Sequence, residues 1–511
     1  MGRNLEIERA REYHERTAHS RRSVRASRHT LDWDIAPSPY KIYPDLPVVA
    51  LPRDVPPPAA DGFAAISGDL REPAALDVAR LAALLFFSAG VTRTLTYPGG
   101  IRHDYRAAAS TGALYQTEVY VVAGAIGELA PGVYHFNPGD FALRRLRDGD
   151  CRGAVARAAA DPDVAARPAT VILSGLYWRN TWKYEARAYR HLFWDSGTML
   201  ANLLATATAL GVPARVVEGF VEREVNRLLG LDAAREGALA LVPVGASGTP
   251  AAPPPSIEPI APAVIPLSSS EVSYPLLVEA YEDSSLETEA EVRSWRDRAD
   301  ALEIGSRASH APASDVPLFR LPPPRMEAGR SLGETIQARG STRAFSRATI
   351  SAEALSSALY HATRGIGADV PSGLVDLYLV VHAVDGVDAG AYAYRPEPHA
   401  LERLASGDFR EESAFLCLEQ SLGGASSVTV FFLADLGRVL GALGNRGYRA
   451  ANLEAGIVGG RLYLAAYAQR FGASGLTFYD ADVVQFFSPH ARAKDAIFVT
   501  ALGRSARRAA R

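Results

Sequence analysis

The sequence predicts an α+β protein built from two tandem copies of one domain. Residues 132–150 and 390–408 align without a gap at an offset of 258 positions. The residues of the first stretch that recur in the second are Gly132, Tyr134, Pro138, Ala142, Leu143, Arg145, Leu146, Gly149 and Asp150. This offset is much longer than a solenoid or propeller repeat, so each copy is expected to be a whole domain. Helical and short strand patterns alternate in both halves, which is typical of α+β folds.

The repeat keeps nearly the same register in three further elements. They are the strand from Glu118 (again from Asp376), the pair Tyr189-Arg190 (again Tyr448-Arg449) and the strand from Ala238 (again from Ala496). Chance similarity would not hold one register across four elements. The two halves are therefore predicted to fold alike.

Residues 1–60 are predicted to form a charged helix followed by a proline-rich arm. Arginines are frequent in the opening helix, a pattern that could serve a nucleic-acid-binding arm. Glutamates interleave with them, at Glu6, Glu8, Glu12 and Glu15, which favours a solvated helix face instead. The prolines that follow indicate an extended segment that wraps around a domain.

The first copy is predicted to occupy residues 61–250. Its expected elements are a helix over 73–88, strands over 118–123 and 171–174, and a helix over 195–210. Apolar residues recur at helical spacing in both helices, and Gly211 stops the second of them.

A linker is predicted over residues 251–325, where the composition changes. It contains a triple proline at 253–255 and a serine run at 268–270. One acidic amphipathic stretch over 277–302 is expected to form a helix within it. The second copy then occupies residues 326–511 and alternates helices and strands to the end.

Composition excludes several classes of protein. A length of 511 residues with ordinary apolar and charged fractions indicates a multidomain globular protein. The formal net charge of −3, with scattered lysine and arginine, gives no footprint for nucleic acid. The two cysteines, Cys151 and Cys417, are too few for a disulfide framework or a cysteine-based metal site. Because no signal-like opening or membrane-length apolar run is seen, we expect a cytoplasmic protein.

The segment Arg339-Gly-Ser-Thr-Arg343 suggests a phosphate site on a predicted helix. Two guanidinium groups and a hydroxyl at spacing i, i+2 and i+4 can converge on one phosphate, since arginine forks match its oxygens. Two surface arginines near a helix start are the alternative interpretation.

The loop from Arg106 to Tyr115 is a second candidate. Its small residues and Gly112 would allow the backbone to approach a flat ligand closely. A tight turn into the following strand would explain the same pattern.

The pair Lys183-Tyr184 is a third candidate, because tryptophans surround it in the sequence. Desolvation by Trp178, Trp182 and Trp194 could lower the lysine pKa toward that of a general base. Alternatively, Lys183 extends its aliphatic stem over the aromatic rings and has no chemical role.

Taken together, these segments resemble the SagB/ThcOx-type dehydrogenases of the nitroreductase superfamily. The resemblance is carried, in order, by Tyr13–Ser20, Leu31–Trp33, Lys41–Pro44, Phe87–Arg93, the 106–120 loop and strand, Trp182–Tyr184 and Tyr189-Arg190. It covers both copies and the N-terminal arm, and it leaves only the linker undetermined.

The resemblance implies an FMN enzyme with the nitroreductase fold, whose two fused copies form an intramolecular pseudo-dimer. The family's phosphate-binding element falls on Arg339, Ser341 and Arg343 of the second copy. The loop that covers the flavin falls on the first copy, at Ser110, Thr111 and Gly112. Ala109 and Gln116 stand where the family usually has proline.

The family's catalytic Lys-Tyr pair falls on Lys183 and Tyr184, whereas the second copy has Ala442-Leu443 at the corresponding place. The two kinds of site residue thus survive in different copies, which predicts one composite FMN site at their interface. Three further residues resemble segments that line the flavin edge or help hold its phosphate: Tyr479, Asp480 and Arg504.

A second flavin site is the alternative that the sequence leaves open. It would be formed by Arg22, Ser23 and Arg25 together with Val217–Gly219.

The resemblance implies dehydrogenation of a thiazoline, an oxazoline or a related C–N unit in a peptide or carrier-bound intermediate. Lys183 and Tyr184 would act as the general base, FMN would take the hydride, and a cyclodehydratase or assembly-line protein would be the partner. One alternative is a reductase of the same fold that uses NAD(P)H. Another is a flavin-free scaffold that binds a peptide or a synthetase.

Overall fold

The computed structural model describes residues 2–68, 72–100, 102–252, 256–302 and 318–506. The first helices and strands of the chain are α1 (Glu8–Arg16), α2 (Arg21–Ala26), β1 (Val48–Ala50) and α3 (Gly62–Ile66). The hydroxyl of Ser20 accepts the Ser23 amide and so begins α2 as an N-cap.

The elements of the first copy alternate as the sequence predicts. In order they are α4 (Val78–Ala89), β2 (Val91–Thr96), β3 (Arg102–Arg106), β4 (Thr117–Ala123), β5 (Gly132–Asn137), β6 (Ala142–Asp148), α5 (Arg152–Ala158), α6 (Pro162–Ala166), β7 (Ala169–Leu176), α7 (Tyr177–Tyr184), α8 (Ala188–Ala209), α9 (Glu222–Leu229) and β8 (Glu236–Val244).

The remaining elements follow a matching order. Those before the second copy are α10 (Pro275–Asp283), α11 (Glu289–Asp300) and β9 (Leu318–Arg320). Those of the second copy are α12 (Leu332–Ala338), β10 (Ile350–Ser351), α13 (Ala352–Ala362), β11 (Asp376–Val381), β12 (Val384–Asp385), β13 (Gly390–Arg395), β14 (Ala400–Ser406), α14 (Arg410–Leu416), α15 (Ser421–Ala425), β15 (Val428–Ala434), α16 (Leu436–Leu443), α17 (Arg446–Ala468), β16 (Gly472–Gly475), α18 (Asp480–Phe486) and β17 (Asp495–Gly503).

Each copy contributes one large antiparallel sheet. The strand order is β1-β6-β5-β4-β7-β8 in the first sheet and β16-β17-β15-β11-β13-β14-β9 in the second. In the first, Val121 lies opposite Tyr134 on one side and Val171 on the other. Because successive side chains of a strand point to opposite faces, Val119 and Val121 share one face, which packs in the same core as Leu200 of α8.

The centre of the molecule is the crossing of α8 and α17. These long helices are buried along most of their length and belong to the two copies respectively. They cross at Gly197 and Gly456, where the lack of side chains lets the two backbones touch. The pseudo-dimer is therefore built around one helix from each copy.

Three predicted helix boundaries differ from the structure. The helix expected over 73–88 begins at Val78, because the Asp77 carboxylate accepts the Arg80 amide and caps it there. The helix expected over 195–210 already begins at Ala188. The stretch over 277–302 forms α10 and α11, because the Thr288 hydroxyl starts a new helix.

The prolines at 253–255 of the predicted linker lie outside the described residues. Within the ranges described, no helix combines the length and apolar character needed to cross a bilayer. In the same ranges, no group of three His, Cys, Asp or Glu side chains is arranged to hold a metal ion.

Candidate functional site

The interface between the copies brings predicted site residues of both together. Arg339 follows α12, and its Nε donates to the Ala107 carbonyl at 2.7 Å while Nη2 donates to the Arg106 carbonyl at 2.9 Å. Arg339 thus connects the second copy to the loop of the first. The expectation that residues 339–343 are helical is wrong: α12 ends at Ala338 and Arg339 is extended, at φ −60° and ψ 137°.

The rest of the 339–343 segment lies beside the C-terminal strand. The Ser341 hydroxyl is 3.3 Å from the Tyr463 hydroxyl. The Arg343 side chain is exposed, and so is Arg504, whose Nε donates to the Thr349 carbonyl at 3.0 Å. The Arg504 carbonyl accepts the Ser346 amide, which holds this residue next to the 339–343 segment. Two exposed guanidinium groups are therefore available near one surface, as an anionic phosphate requires.

The predicted flavin-covering loop of the first copy is anchored by Asp195 of α8. The Asp195 carboxylate accepts the Ser110 hydroxyl at 2.6 Å, the Thr111 amide at 2.8 Å and hydroxyl at 2.7 Å, and the Gln116 side-chain amide at 2.6 Å. Burial raises the pKa of Asp195 to about 6, although these hydrogen bonds act in the opposite direction. Side-chain hydrogen bonds thus hold the loop in which proline is missing.

Gly112 lies at the point where this loop meets Tyr184. Its φ of 65° is in the left-handed region, and a Cβ atom there would lie 2.9 Å from the Tyr184 hydroxyl. Both the backbone angle and the close approach therefore favour glycine at this position.

Lys183 and Tyr184 end α7 and are only partly exposed. The Lys183 Nζ atom lies 5.4 Å from the centroid of the Tyr184 ring. Burial, and then the positive charge of Arg343, lower the pKa of the Lys183 ammonium. Burial, and then the negative charge of Asp195, raise the pKa of the Tyr184 hydroxyl above its usual value. The pair thus combines a lysine that loses its proton more easily with a tyrosine that keeps its proton.

Tyr479 and Asp480 lie where α18 begins, and they are buried. Asp480 accepts from Arg190 at 2.6 Å and from Arg187 at 3.0 Å, and it also accepts the His19 amide at 2.8 Å. The hydroxyl of Tyr479 donates to Glu419 at 3.4 Å. The Asp480 carboxylate therefore links the two copies, and its expected place at the flavin edge stays a prediction.

Arg187 is a site candidate that the sequence analysis missed. Its guanidinium lies 5.2 Å from the Phe478 ring centroid, and it is buried. The Nε and Nη2 atoms are buried without a hydrogen-bond partner among the described residues. Unpaired buried donors are costly, so these atoms fit a ligand that supplies acceptors. Its position three residues after Tyr184 was the available signal.

These features fit FMN, which combines an anionic phosphate with a flat ring that carries acceptor atoms. Arg343, Arg504 and the Ser341 hydroxyl would hold the phosphate end. Arg187 would offer donors to the ring, and the Gly112 loop would supply backbone without side-chain bulk.

The alternative second site is not assembled by these contacts. Residues Arg22, Ser23 and Arg25 lie on the exposed helix α2. The segment 217–219 is instead covered by α11, whose Arg296 donates to the Gly219 carbonyl at 2.7 Å.

Comparison with known proteins agrees with this fold. A solved structure of a protein provisionally named as a nitroreductase, from Anabaena variabilis, superposes with a TM-score of 0.77 and 26% identity, over 98% of this chain and 99% of that one. A Methanocaldococcus jannaschii protein with a provisional nitroreductase name is 28% identical over 171 residues, which cover 33% of this chain and 81% of that protein.

A more distant structure is the Escherichia coli microcin synthetase McbBCD complex with truncated pro-MccB17 bound. Its matching chain is 20% identical, with a TM-score of 0.29, over 47% of this chain and 87% of that one. A likeness of this size supports no inference about substrate.

The profile of the nitroreductase family matches residues 76–246 and again residues 336–503. The two matches together span more than half of the chain and contain every strand of the two repeated sheets except β1 and β9. The expected nitroreductase fold in two tandem copies is therefore confirmed, and the chain belongs to the nitroreductase family, as an oxidoreductase with two nitroreductase domains.

Proposed function

We propose that this oxidoreductase uses FMN to dehydrogenate an azoline, or a related C–N unit, in a peptide or carrier-bound intermediate. The resemblance of its motifs to SagB/ThcOx-type dehydrogenases supports this proposal. It goes beyond the family assignment, which extends to oxidoreductase activity alone.

One observation carries the proposal: Lys183 and Arg343 come from different copies and lie within electrostatic reach of each other. The first contributes the basic group and the second the phosphate-binding group. A family site assembled from two subunits would need this same combination of residues. Here both belong to one chain.

Lys183 is suited to remove a proton from the substrate carbon. Its lowered pKa leaves a larger neutral fraction near neutral pH than an ordinary lysine has. Tyr184, which stays protonated, would donate a hydrogen bond that orients the substrate. Arg343 and Ser341 would position the cofactor so that the substrate lies between it and Lys183. FMN, when bound, would supply the acceptor for the hydride, and dioxygen would be the final oxidant.

The loop from Ser110 to Gln116 would exclude water from this space. It is held to α8 through Asp195, so its position does not depend on a bound substrate. The peptide substrate would be delivered by a cyclodehydratase or an assembly-line protein.

The test begins with the visible spectrum of the purified protein and the amount of flavin released by denaturation. We expect bound FMN in the wild-type protein and a large loss of it in Arg343→Ala. Arg293→Ala is the matched control, because Arg293 is a surface residue paired with Glu289 away from this site. Loss of FMN in both variants would contradict the assigned phosphate site.

Turnover is then tested with thiazoline peptides under air. We expect azole formation by the wild-type protein and none by Lys183→Ala that still binds FMN. Oxidation of NAD(P)H without azole formation would favour the reductase alternative. A colourless protein that takes up no added FMN would favour the flavin-free scaffold.

A further inference from the structure

The pseudo-dimer contains a second position equivalent to the candidate site. Repeat offsets of 258 and 259 residues make Gly219 the counterpart of Thr477 and Leu443 the counterpart of Tyr184. Asp195 likewise corresponds to Glu454, whose carboxylate accepts the amides of Gly373 and Leu374 at 3.0 Å each. The loop anchor is therefore preserved at this position, although the Lys-Tyr pair is not.

Trp295 of α11 occupies the space between these counterparts. Its side chain is fully buried, at 0% exposure, and its Nε1 atom donates to the Leu443 carbonyl at 3.0 Å. The indole edge lies 3.0 Å from the place where a Cβ atom of Gly219 would be. The guanidinium of Arg446 lies 5.6 Å from the indole centroid. A flat bicyclic ring thus packs on the glycine backbone.

Arg296 and Asp369 use the backbone groups beside that indole. Arg296 Nη2 donates to the Gly219 carbonyl at 2.7 Å, and its Nε donates to Asp369 at 3.0 Å. Asp369 in turn accepts the amides of Glu218 at 2.7 Å and Gly219 at 3.0 Å. The chain itself therefore satisfies polar groups that a ligand would otherwise meet.

The segment that supplies Trp295 is itself a repeat of the N-terminal arm. The paired positions, at an offset of 268, are Tyr13 and Tyr281, Thr17 and Ser285, Ser20 and Thr288, Val24 and Val292, Arg25 and Arg293, and Arg28 and Arg296. Ser20 and Thr288 cap α2 and α11, and β1 and β9 extend their sheets in the same way. The segment is thus the arm of the second copy.

The two arms differ at the position of Trp295. The counterpart of Trp295 is Ser27, which follows the end of α2 and is exposed. Helix α2 ends at Ala26, whereas α11 continues to Asp300. The arm of the first copy therefore has no counterpart of the Trp295 ring, whereas the arm of the second copy places that ring between Gly219 and Leu443.

We propose that Trp295 and Arg296 are a built-in plug that occupies the second cofactor position, so that the chain holds one flavin. This inference rests on the proposed FMN site for the meaning of that position. Helix α11 thereby keeps the pseudo-dimer asymmetric. One cofactor position stays available for chemistry, and the other is closed by an internal aromatic ring.

The first measurement is the stoichiometry of FMN in the wild-type protein after equilibrium dialysis against excess FMN. One FMN per chain is expected. Two per chain would overturn the plug and leave the proposed function standing. None would overturn the proposed function and, with it, the identity of the second position.

The second measurement opens the position. Lumiflavin, which lacks the ribityl phosphate, is titrated into FMN-loaded Trp295→Ala/Arg296→Ala by equilibrium dialysis. We expect the double variant to bind one equivalent of lumiflavin and to release it when indole is added. Wild type and the control Trp33→Ala/Arg293→Ala, whose tryptophan is 71% exposed, are expected to bind none. A double variant that retains its FMN and its circular dichroism spectrum but takes up no lumiflavin would overturn the plug.

Should the double variant fail to fold, Trp295→Ala replaces it, with Arg296 kept in its bonds to Asp369 and the Gly219 carbonyl. Folded, FMN-loaded Trp295→Ala should then bind one equivalent of lumiflavin. A folded Trp295→Ala that binds no lumiflavin would overturn the plug.

Discussion

Gly197 of α8 and Gly456 of α17 are in direct backbone contact where the two central helices cross. A Cβ atom on Gly197 would lie 2.6 Å from the Gly456 Cα atom, and one on Gly456 would lie 2.5 Å from the Trp194 carbonyl oxygen. Nearby, Trp194 Nε1 donates to Asn452 Oδ1 at 2.7 Å. At this crossing the two helices thus approach to a distance that only glycine permits.

Gly456→Ala should therefore destabilise the protein. An extra methyl group in such a close contact costs about 1–3 kcal/mol, because the helices must move apart. Gly441→Ala in α16 is the control, since a Cβ atom there has nothing within 4 Å. That variant should gain roughly 0.5–1 kcal/mol from helix propensity. Urea unfolding measures both, and equal changes of the same sign would contradict the close-contact argument.

Asp480→Asn should be more damaging than its small change in shape suggests. It removes the charge that balances the buried Arg187 and Arg190, and breaking such a pair costs about 3–5 kcal/mol. Glu289→Gln, in an exposed pair with Arg293, should cost less than about 1 kcal/mol. Chemical unfolding at pH 7 distinguishes the two variants, and a loss at Asp480 no larger than that at Glu289 would be contrary to expectation.

The same substitution should change the response to acid. Burial alone would raise the pKa of Asp480, but Arg187 and Arg190 outweigh burial and hold it below its usual value. The stabilisation is therefore present above the unfolded pKa of about 3.9 and is lost as the pH falls through the lower folded pKa. We expect the wild-type advantage over Asp480→Asn to shrink as the pH falls below about 4, which unfolding curves measured at several pH values would show.

Activity should rise with pH as Lys183 loses its proton. Burial and Arg343 lower its pKa, so the rising limb of kcat/KM should lie below the ordinary lysine value of about 10.4. Lys183→Met should abolish this limb and lose about 10²–10⁴-fold in rate. With FMN saturating, Arg343→Gln should move the limb to higher pH, because it removes a positive charge. An unchanged pH profile in Lys183→Met would assign the base to another group.

Asp195 is expected to act as a positioning residue for the loop over the cofactor. Four donor groups converge on its carboxylate, and Asn would present a donor where they require acceptors. Asp195→Asn should therefore weaken FMN binding by at least about tenfold, the value of roughly one charged hydrogen bond. Asp195→Glu should bind FMN more tightly than Asp195→Asn does, since Glu454 anchors the equivalent loop of the second copy. Titration of apoprotein with FMN compares the variants, and equal affinities would refute this role.

Stability should also report on Asp195. Burial raises its pKa to about 6, so the folded state prefers the protonated form. The associated stabilisation is present at low pH and is lost as the pH rises through about 6. The wild-type free energy of unfolding should therefore fall, relative to that of Asp195→Asn, between about pH 4 and pH 6, as measured by urea unfolding.

Much of the fold was predictable because local sequence patterns indicate its helices, strands and repeat. The repeated stretch at 132–150 and 390–408 forms the hairpins β5-β6 and β13-β14 in equivalent places of the two sheets. Helix starts were less predictable, because they depend on single hydrogen bonds. Because Asp77 caps α4, this helix begins several residues after its predicted start. Because Thr288 caps α11, the single helix predicted over 277–302 is two helices in the structure.

The site was predictable in part, since Lys183, Tyr184 and the 339–343 segment are chemically distinctive residue types. The pattern did not indicate that residues 339–343 are not helical, because the end of α12 and the Arg339 contacts with the first copy determine the shape of this segment. Nor did it single out Arg187, which looks in the sequence like one more arginine of a charged helix. The Nε and Nη2 atoms of Arg187 are buried and unpaired only in the folded chain, where the guanidinium packs against the Phe478 ring.

The sequence alone predicted two copies, their register and the candidate site residues that each copy retains, because repeats and local composition can be recognised without any knowledge of packing. The electrostatic influence of Arg343 on Lys183 and the packing of Trp295 against Gly219 and Leu443 were decided by tertiary structure. These interactions join residues that are far apart in the chain, so they depend on how the two copies pack together. The sequence specifies the side chains, whereas the packing of the two copies determines which side chains contact each other.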